Sequence, residues 1–318
     1  MTTTSSPIAF LFPGQGSQSV GMGKELATNY EVARQTFEEA DDALGYKLSE
    51  LCFEGPEENL KLTEITQPAI LTASVAVWRV LREKGLNPDY VAGHSLGEYS
   101  AHVAAGTIRF RDAVRTVRNR GQYMQEAVPV GVGAMAAILG MPAERVREIT
   151  EEASQVEICQ PANINSPEQI VISGHKGAVT RAMELATQRG AKKAVSLPVS
   201  APFHCALMQP AQDRLASDLN ALRFANPSCP VISNVDAAAV SLAEPARNAL
   251  IRQVTGTVRW DESVRGLIEL GAGLFIEVGP GKVLWGLMRQ IDRSKTSFAV
   301  GDEASLQKTL THVSALAA

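Results

Sequence analysis

Gly93-His94-Ser95-Leu96-Gly97 fits GxSxG, the pattern in which a serine hydroxyl is offered as a nucleophile. It lies where a short apolar run over 90–93 meets a stretch predicted helical from Ser95 onward. A tight strand-to-helix turn needs small residues on both sides so that backbones can approach. It leaves the serine Oγ exposed above a helix N-terminus. The next amide, on Leu96, then faces any oxyanion formed on an acyl carbon. The plain alternative is a serine that caps an ordinary helix.

A second oxyanion donor has to come from a neighbouring loop. Phe12-Pro13-Gly14-Gln15-Gly16-Ser17-Gln18 follows the first apolar run, and its glycines let a backbone amide turn toward the site. Phosphate chemistry is excluded by spacing: Gly14 and Gly16 lack the third glycine of a dinucleotide loop, and Gly23-Lys24 is followed by Glu25 rather than Ser or Thr.

Serine needs a base. The histidines are His94, His102, His175, His204 and His312. His94 precedes the serine and should diverge from it, His102 falls inside the following helix, His175 belongs to a separate segment and His312 to the C-terminal tail. His204 remains, in the loop-like Ala201-Pro202-Phe203-His204. No Asp or Glu declares itself as a third triad member, and a backbone carbonyl can orient an imidazole in its place. Cys205, next to the histidine, reads as a small packing residue.

Arg120 lies among other basic residues in a predicted helix, where a solvated face is the usual meaning. Helical rise gives it another. The paths out from Ser95 to Gly106 and back from Phe110 to Arg120 each cover about 15 Å, so Arg120 returns to the level of Ser95. An arginine there can hold a carboxylate by two parallel hydrogen bonds and favours a dicarboxylic acyl group over a neutral one.

The elements that must position these groups alternate between strand and helix. Ile8–Phe12 reads as a strand, Glu31–Leu44 and 68–83 as helices, and 95–105 and 111–127 as a helix pair. Residues 134–139, 142–153, 156–162, 169–173, 177–189 and 193–197 then run strand, helix, strand, strand, helix, strand, which is the βαββαβ order of a ferredoxin-like unit. After Pro198 the first pattern resumes, with strands near 230–233 and 274–278. The expected fold is therefore α/β: an α/β-hydrolase-like core with a mostly parallel sheet over 1–129 and 198–318, and an inserted ferredoxin-like subdomain over 130–197. The cleft between them is the natural ligand site.

The 318 residues include 45% hydrophobic and 20% charged, with a formal net charge of -4, which disfavours disorder and a polynucleotide partner. Cys52, Cys159, Cys205 and Cys229 form no CxxC, which speaks against a zinc site or a disulfide framework and for a reducing cytoplasm. Residues 1–7 read as a short tail without signal-peptide character. The apolar run over 68–81 is too short to cross about 30 Å of hydrocarbon.

Taken in order, Pro13-Gly14-Gln15-Gly16-Ser17-Gln18, Gly93-His94-Ser95-Leu96-Gly97-Glu98, Arg120-Gly121 with Met124-Gln125-Glu126, Phe203-His204 and Glu277-Val278-Gly279-Pro280-Gly281-Lys282 cover nearly the whole chain. Together they resemble the bacterial malonyl-CoA:acyl carrier protein transacylases, whose motifs the acyltransferase domains of fatty acid and polyketide synthases share. The resemblance implies malonyl transfer from malonyl-CoA to the phosphopantetheine thiol of acyl carrier protein, for fatty acid or polyketide synthesis. It implies Ser95 as nucleophile, His204 as base, Arg120 as malonate ligand and the amides of Gln15 and Leu96 as oxyanion hole. It also implies main-chain carbonyls near Gln253, in Leu250-Ile251-Arg252-Gln253, in place of the missing acid. No metal or redox cofactor is expected, and a monomer is.

One position departs: many stand-alone bacterial members have serine where Phe203 stands. Phenylalanine before the histidine is similar to synthase domains that select malonyl, and its bulk disfavours an α-methyl branch. The rival readings are a serine hydrolase or thioesterase that delivers the acyl group to water, and a non-catalytic partner-binding subunit.

Overall fold

The computed structural model describes residues 6–199 and 201–317; of the expected N-terminal tail, residues 1–5 lie outside the described residues. The strands are β1 (Ile8–Phe12), β2 (Tyr90–Gly93), β3 (Gly133–Leu139), β4 (Cys159–Ser166), β5 (Gln169–His175), β6 (Lys193–Ser196), β7 (Val231–Ile232), β8 (Ala239–Val240), β9 (Leu274–Val278) and β10 (Thr296–Val300). Six form one sheet in the order β10-β9-β1-β2-β7-β8, parallel except for the β7–β8 pair. Both faces of such a sheet must be covered, and β1 shows how: Phe10 and Phe12 pack into one core, Ala9 and Leu11 into another with Phe275 and Trp260.

In β1 the chain sits at the middle of the sheet, with β2 on one side and β9 on the other. The carboxyl ends of strands beside such a reversal of direction open the crevice where ligands bind in open α/β sheets. Pro13–Ser17 and the turn after β2 both leave from those ends.

The second sheet is antiparallel in the order β4-β5-β3-β6, the arrangement of a split βαβ unit, and has its own apolar core of residues such as Ile138, Ile149, Ile170 and Val179. β4 ties this sheet to the loop that leads into the Trp260–Glu269 helix of the large unit. The amide of Ile164 donates to Val258 O at 2.9 Å, the amide of Val258 to Ala162 O at 2.8 Å, and Thr257 Oγ1 to Pro161 O at 2.7 Å.

Several elements differ from expectation, each for a local reason. The helix expected from Pro68 begins at Thr63, because the Leu62 carbonyl accepts from the amides of Ile65 and Thr66 and starts the first turn before the proline. The helix expected from Ser95 is Gly97–Ala104. The strand expected over 156–162 is Cys159–Ser166: Val156 is 99% exposed beside the positive-φ Gln155, while bulges carry the strand onward through polar residues to Ser166. The strand expected near 230–233 shortens to Val231–Ile232, and β10 was not anticipated. The C-terminal residues expected as a tail form a helix, Glu303–Ala317, with Leu306 and Thr309 fully buried.

Candidate active site

Ser95 is the middle of three residues between β2 and the next helix, with φ of 52°. A non-glycine residue in this left-handed region costs on the order of 1–3 kcal/mol and persists only where its surroundings impose it. Here they do. The Ser95 amide donates to Asn234 Oδ1 at 2.7 Å, and Asn234 Nδ2 donates to Gly93 O at 2.7 Å, so one side chain brackets the turn. The flanking glycines allow the close approach: a Cβ on Gly93 would lie 1.9 Å from the Gly97 carbonyl, and one on Gly97 would lie 2.0 Å from Phe12 O. Ser95 therefore does not cap the helix, which begins two residues later.

His204 reaches the serine from a loop more than a hundred residues away. It too has a positive φ, 57°, and is 4% exposed. Its Nδ1 lies 2.9 Å from the main-chain oxygen of Gln253. A carbonyl only accepts, so Nδ1 carries the proton and Nε2 is bare. Nε2 is 2.7 Å from Ser95 Oγ and receives its hydroxyl hydrogen. Hydroxyl, imidazole and carbonyl thus form a proton path in which a peptide oxygen stands where a carboxylate often does.

Arg120 is 1% exposed, which removes the solvated-face reading. Its Nη2 donates to Ser95 Oγ at 3.0 Å and to Gln253 Oε1 at 2.9 Å, and its Nη1 donates to Gln67 Oε1 at 2.8 Å. A malonyl group esterified to Ser95 would carry its free carboxylate three bonds, roughly 3–4 Å, from the ester oxygen, within reach of this guanidinium. The helix carrying Arg120 approaches the Thr63–Glu83 helix closely at Gly121, where a Cβ would lie 2.6 Å from Thr63 O.

Burial, and secondarily the charge of Arg120, hold the His204 imidazole far below the usual histidine range, at about 3, against the opposing pull of the Gln253 carbonyl. The sign follows directly. A base works in its neutral form, so a lowered pKa moves the acid limb of the rate to lower pH. Acylation by a malonyl thioester is expected to be nearly level from pH 8 to about pH 5 and to fall only below that. The check is a pH profile of the acylation rate constant; an inflection between about 6 and 7 contradicts it.

Phe203, 9% exposed, packs in the main core beside His204. Gln15 sits exposed at a turn just beyond Gly14, and a Cβ on Gly14 would lie 2.4 Å from His94 O, so this loop abuts the elbow. Leu96 is 1% exposed at the entrance to the Gly97–Ala104 helix, where the first amides have no acceptor within the helix. Of the other histidines, His94 diverges from Ser95 and its Nε2 lies 2.8 Å from Asn165 Oδ1 on β4. His102 is buried in its helix, with burial holding it at about 3. Cys205 is buried and donates to Pro202 O.

Sequence reasoning did not find Asn234, Gln67 or the side chain of Gln253. Gln67 carried a usable signal, a lone amide beside an almost wholly apolar helical run. Asn234 carried none, since an asparagine after a short strand reads as turn chemistry. Among the described residues, no group of three or more His, Cys, Asp or Glu could hold a metal ion, and no helix is long and apolar enough to cross a membrane.

The sequence matches the family model described as acyl transferase domain over residues 9–310. It is 50% identical over 304 residues to a malonyl CoA-acyl carrier protein transacylase of Salmonella typhimurium, covering 95% of this chain and 98% of that one. A solved acyl carrier protein S-malonyltransferase from Vibrio cholerae is 51% identical with a TM-score of 0.94, covering 96% of this chain and 100% of that one. A malonyl-transacylase solved in complex with a type II PKS acyl-carrier protein is 50% identical, with a TM-score of 0.94 over the same shares of the two chains. With this likeness running through both sheets and the serine turn between them, the chain belongs to the acyl transferase family, among the malonyl CoA-acyl carrier protein transacylases.

Proposed function

We propose that the chain transfers the malonyl group of malonyl-CoA to the phosphopantetheine thiol of acyl carrier protein through an ester on Ser95, supplying extender units for fatty acid synthesis. The observation that carries this reading is the single oxygen Ser95 Oγ, shared between the bare Nε2 of His204 at 2.7 Å and the guanidinium of Arg120 at 3.0 Å. Base and carboxylate ligand converge on one nucleophile.

In the first step Ser95 Oγ attacks the thioester carbon while its proton passes to His204 Nε2. The amides of Leu96 and Gln15 are assigned to the oxyanion, and the Gln253 carbonyl steadies the imidazolium through Nδ1. Collapse expels the thiolate of CoA, which takes the proton. The carrier thiol then repeats the sequence in reverse sense and leaves with the malonyl group. Arg120 exchanges its bond to Oγ for the malonyl carboxylate. That exchange also helps the base: an anion on Arg120 offsets the positive charge that disfavours a charged His204.

Phe203 is proposed to narrow the space beside the acyl α-carbon, so that malonyl is taken in preference to methylmalonyl. The proposed working unit is a cytoplasmic monomer, since one chain supplies every group of the site. The test offers malonyl-, methylmalonyl- and acetyl-CoA together, then adds carrier protein. Malonyl should dominate the mass-shifted enzyme, and malonyl-carrier rather than free malonate should be the product. Free malonate as the main product would make the chain a hydrolase.

A further inference from the structure

A carboxylate with no place in the proton path lies beneath the serine turn. Glu98 is in the first turn of the Gly97–Ala104 helix and is fully buried. Its Oε2 accepts from the main-chain N–H of Asn234 at 3.1 Å and from Gln253 Nε2 at 2.7 Å. Its Oε1 has no hydrogen-bond partner among the described residues, and burial raises the carboxyl to about 7. Such a group destabilises a dry interior unless its oxygens are used.

The two groups it holds are the two that hold the reacting side chains. Asn234 receives the Ser95 amide on Oδ1, and Gln253 receives His204 Nδ1 on its main-chain oxygen. The Gln253 side chain has a direction as well: Nε2 faces Glu98 and Ser95 O, which leaves Oε1 facing Arg120. The two ends of an amide are nearly equal in shape, so an acceptor-only oxygen decides which end points at it. Reversed, the amide would set donors against the guanidinium donors of Arg120.

We propose that Glu98 is a positioning residue for malonyl transfer: by accepting from Asn234 and Gln253 at once, its Oε2 fixes the serine turn, the carbonyl that orients the base and the arginine that receives the carboxylate. The proposal rests on the transfer reading above, and it concerns reach and hydrogen-bond acceptance rather than charge.

Two variants separate these. Glu98→Asp keeps the charge but stops one methylene short; Glu98→Gln keeps the reach and an accepting oxygen but loses the charge. In single-turnover acylation with malonyl-CoA, Glu98→Asp is expected to lower the maximal rate about 10- to 100-fold with the half-saturating concentration unchanged, and Glu98→Gln to stay within about threefold in both. A parental rate in Glu98→Asp, a Glu98→Gln as slow as Glu98→Asp, or a loss confined to half-saturation overturns the assignment. Thermal unfolding checks that each variant is folded. If Glu98→Asp is not, Glu98→Met, which keeps the length and loses the accepting oxygen, gives the same test: the maximal rate falls at least about tenfold, and an unchanged rate overturns the assignment. Failure of the parental chain to take up malonyl in this assay sinks the transfer reading instead.

Discussion

Replacing His204 with alanine lowers the rate at which malonyl-CoA acylates Ser95 by roughly 1,000-fold or more, with little change in stability. Ser95 Oγ has two close neighbours, and only one of them can take its proton: the guanidinium of Arg120 donates, while Nε2 of His204 is bare because Nδ1 is committed to the Gln253 carbonyl. Without the imidazole the hydroxyl must ionise unaided, and loss of the base in such sites costs several powers of ten. The variant keeps a strained backbone position, since His204 has a φ of 57°. Alanine does not favour that conformation either, so the fold is expected to be about as stable as before. Rapid-quench acylation measures the rate and thermal unfolding the stability. A folded variant that acylates within about tenfold of the parent would remove His204 from the proton path.

The second large effect is a change of selectivity. Arg120→Ala should reduce malonyl transfer by about 30- to 5,000-fold, the range given by loss of one partner from a buried, hydrogen-bonded charge pair. Acetyl transfer should change by less than about fivefold, because an acetyl group places nothing on the guanidinium. Two consequences of the truncation oppose each other for acetyl. Gln67 Oε1 and Gln253 Oε1 lose their donor, which loosens the site, but the cation that disfavours protonation of His204 is gone. Side-by-side kinetics with malonyl- and acetyl-CoA decide the matter. Equal losses for the two acyl groups would mean that Arg120 supports the serine turn rather than the substrate carboxylate.

The parts of this arrangement that were legible in the sequence are those written in local chemistry. Ser95 could be found because its turn needs Gly93 and Gly97, and the structure shows a Cβ at either meeting backbone at 2.0 Å or less. Arg120 could be placed because helical rise is fixed, so an out-and-back path returns to its starting level, and its nitrogen indeed lies 3.0 Å from Ser95 Oγ. The alternation of strands and helices pointed to a mostly parallel sheet and a small ferredoxin-like one, and both are present, although β8 and β10 of the large sheet were not foreseen.

What the sequence hid depends on tertiary contact. Asn234 brackets the serine turn across 139 positions of chain, and no local pattern separates it from an ordinary turn residue. The side chain of Gln253 links Arg120 to Glu98, yet only its carbonyl was anticipated, and that from resemblance rather than from spacing. Element ends were misjudged where propensity and packing disagree: Val156 looks like a strand residue but faces water, and Pro68 looks like a helix start but lies inside the Thr63–Glu83 helix.

The central claim is that a malonyl ester forms on one serine. Brief incubation with malonyl-CoA followed by intact-mass measurement and peptide mapping tests it most directly. A single malonyl group on the peptide containing Ser95, absent from Ser95→Ala and removed when carrier protein is added, is the predicted result; the same adduct on Ser95→Ala, or one mapped to another residue, would contradict it.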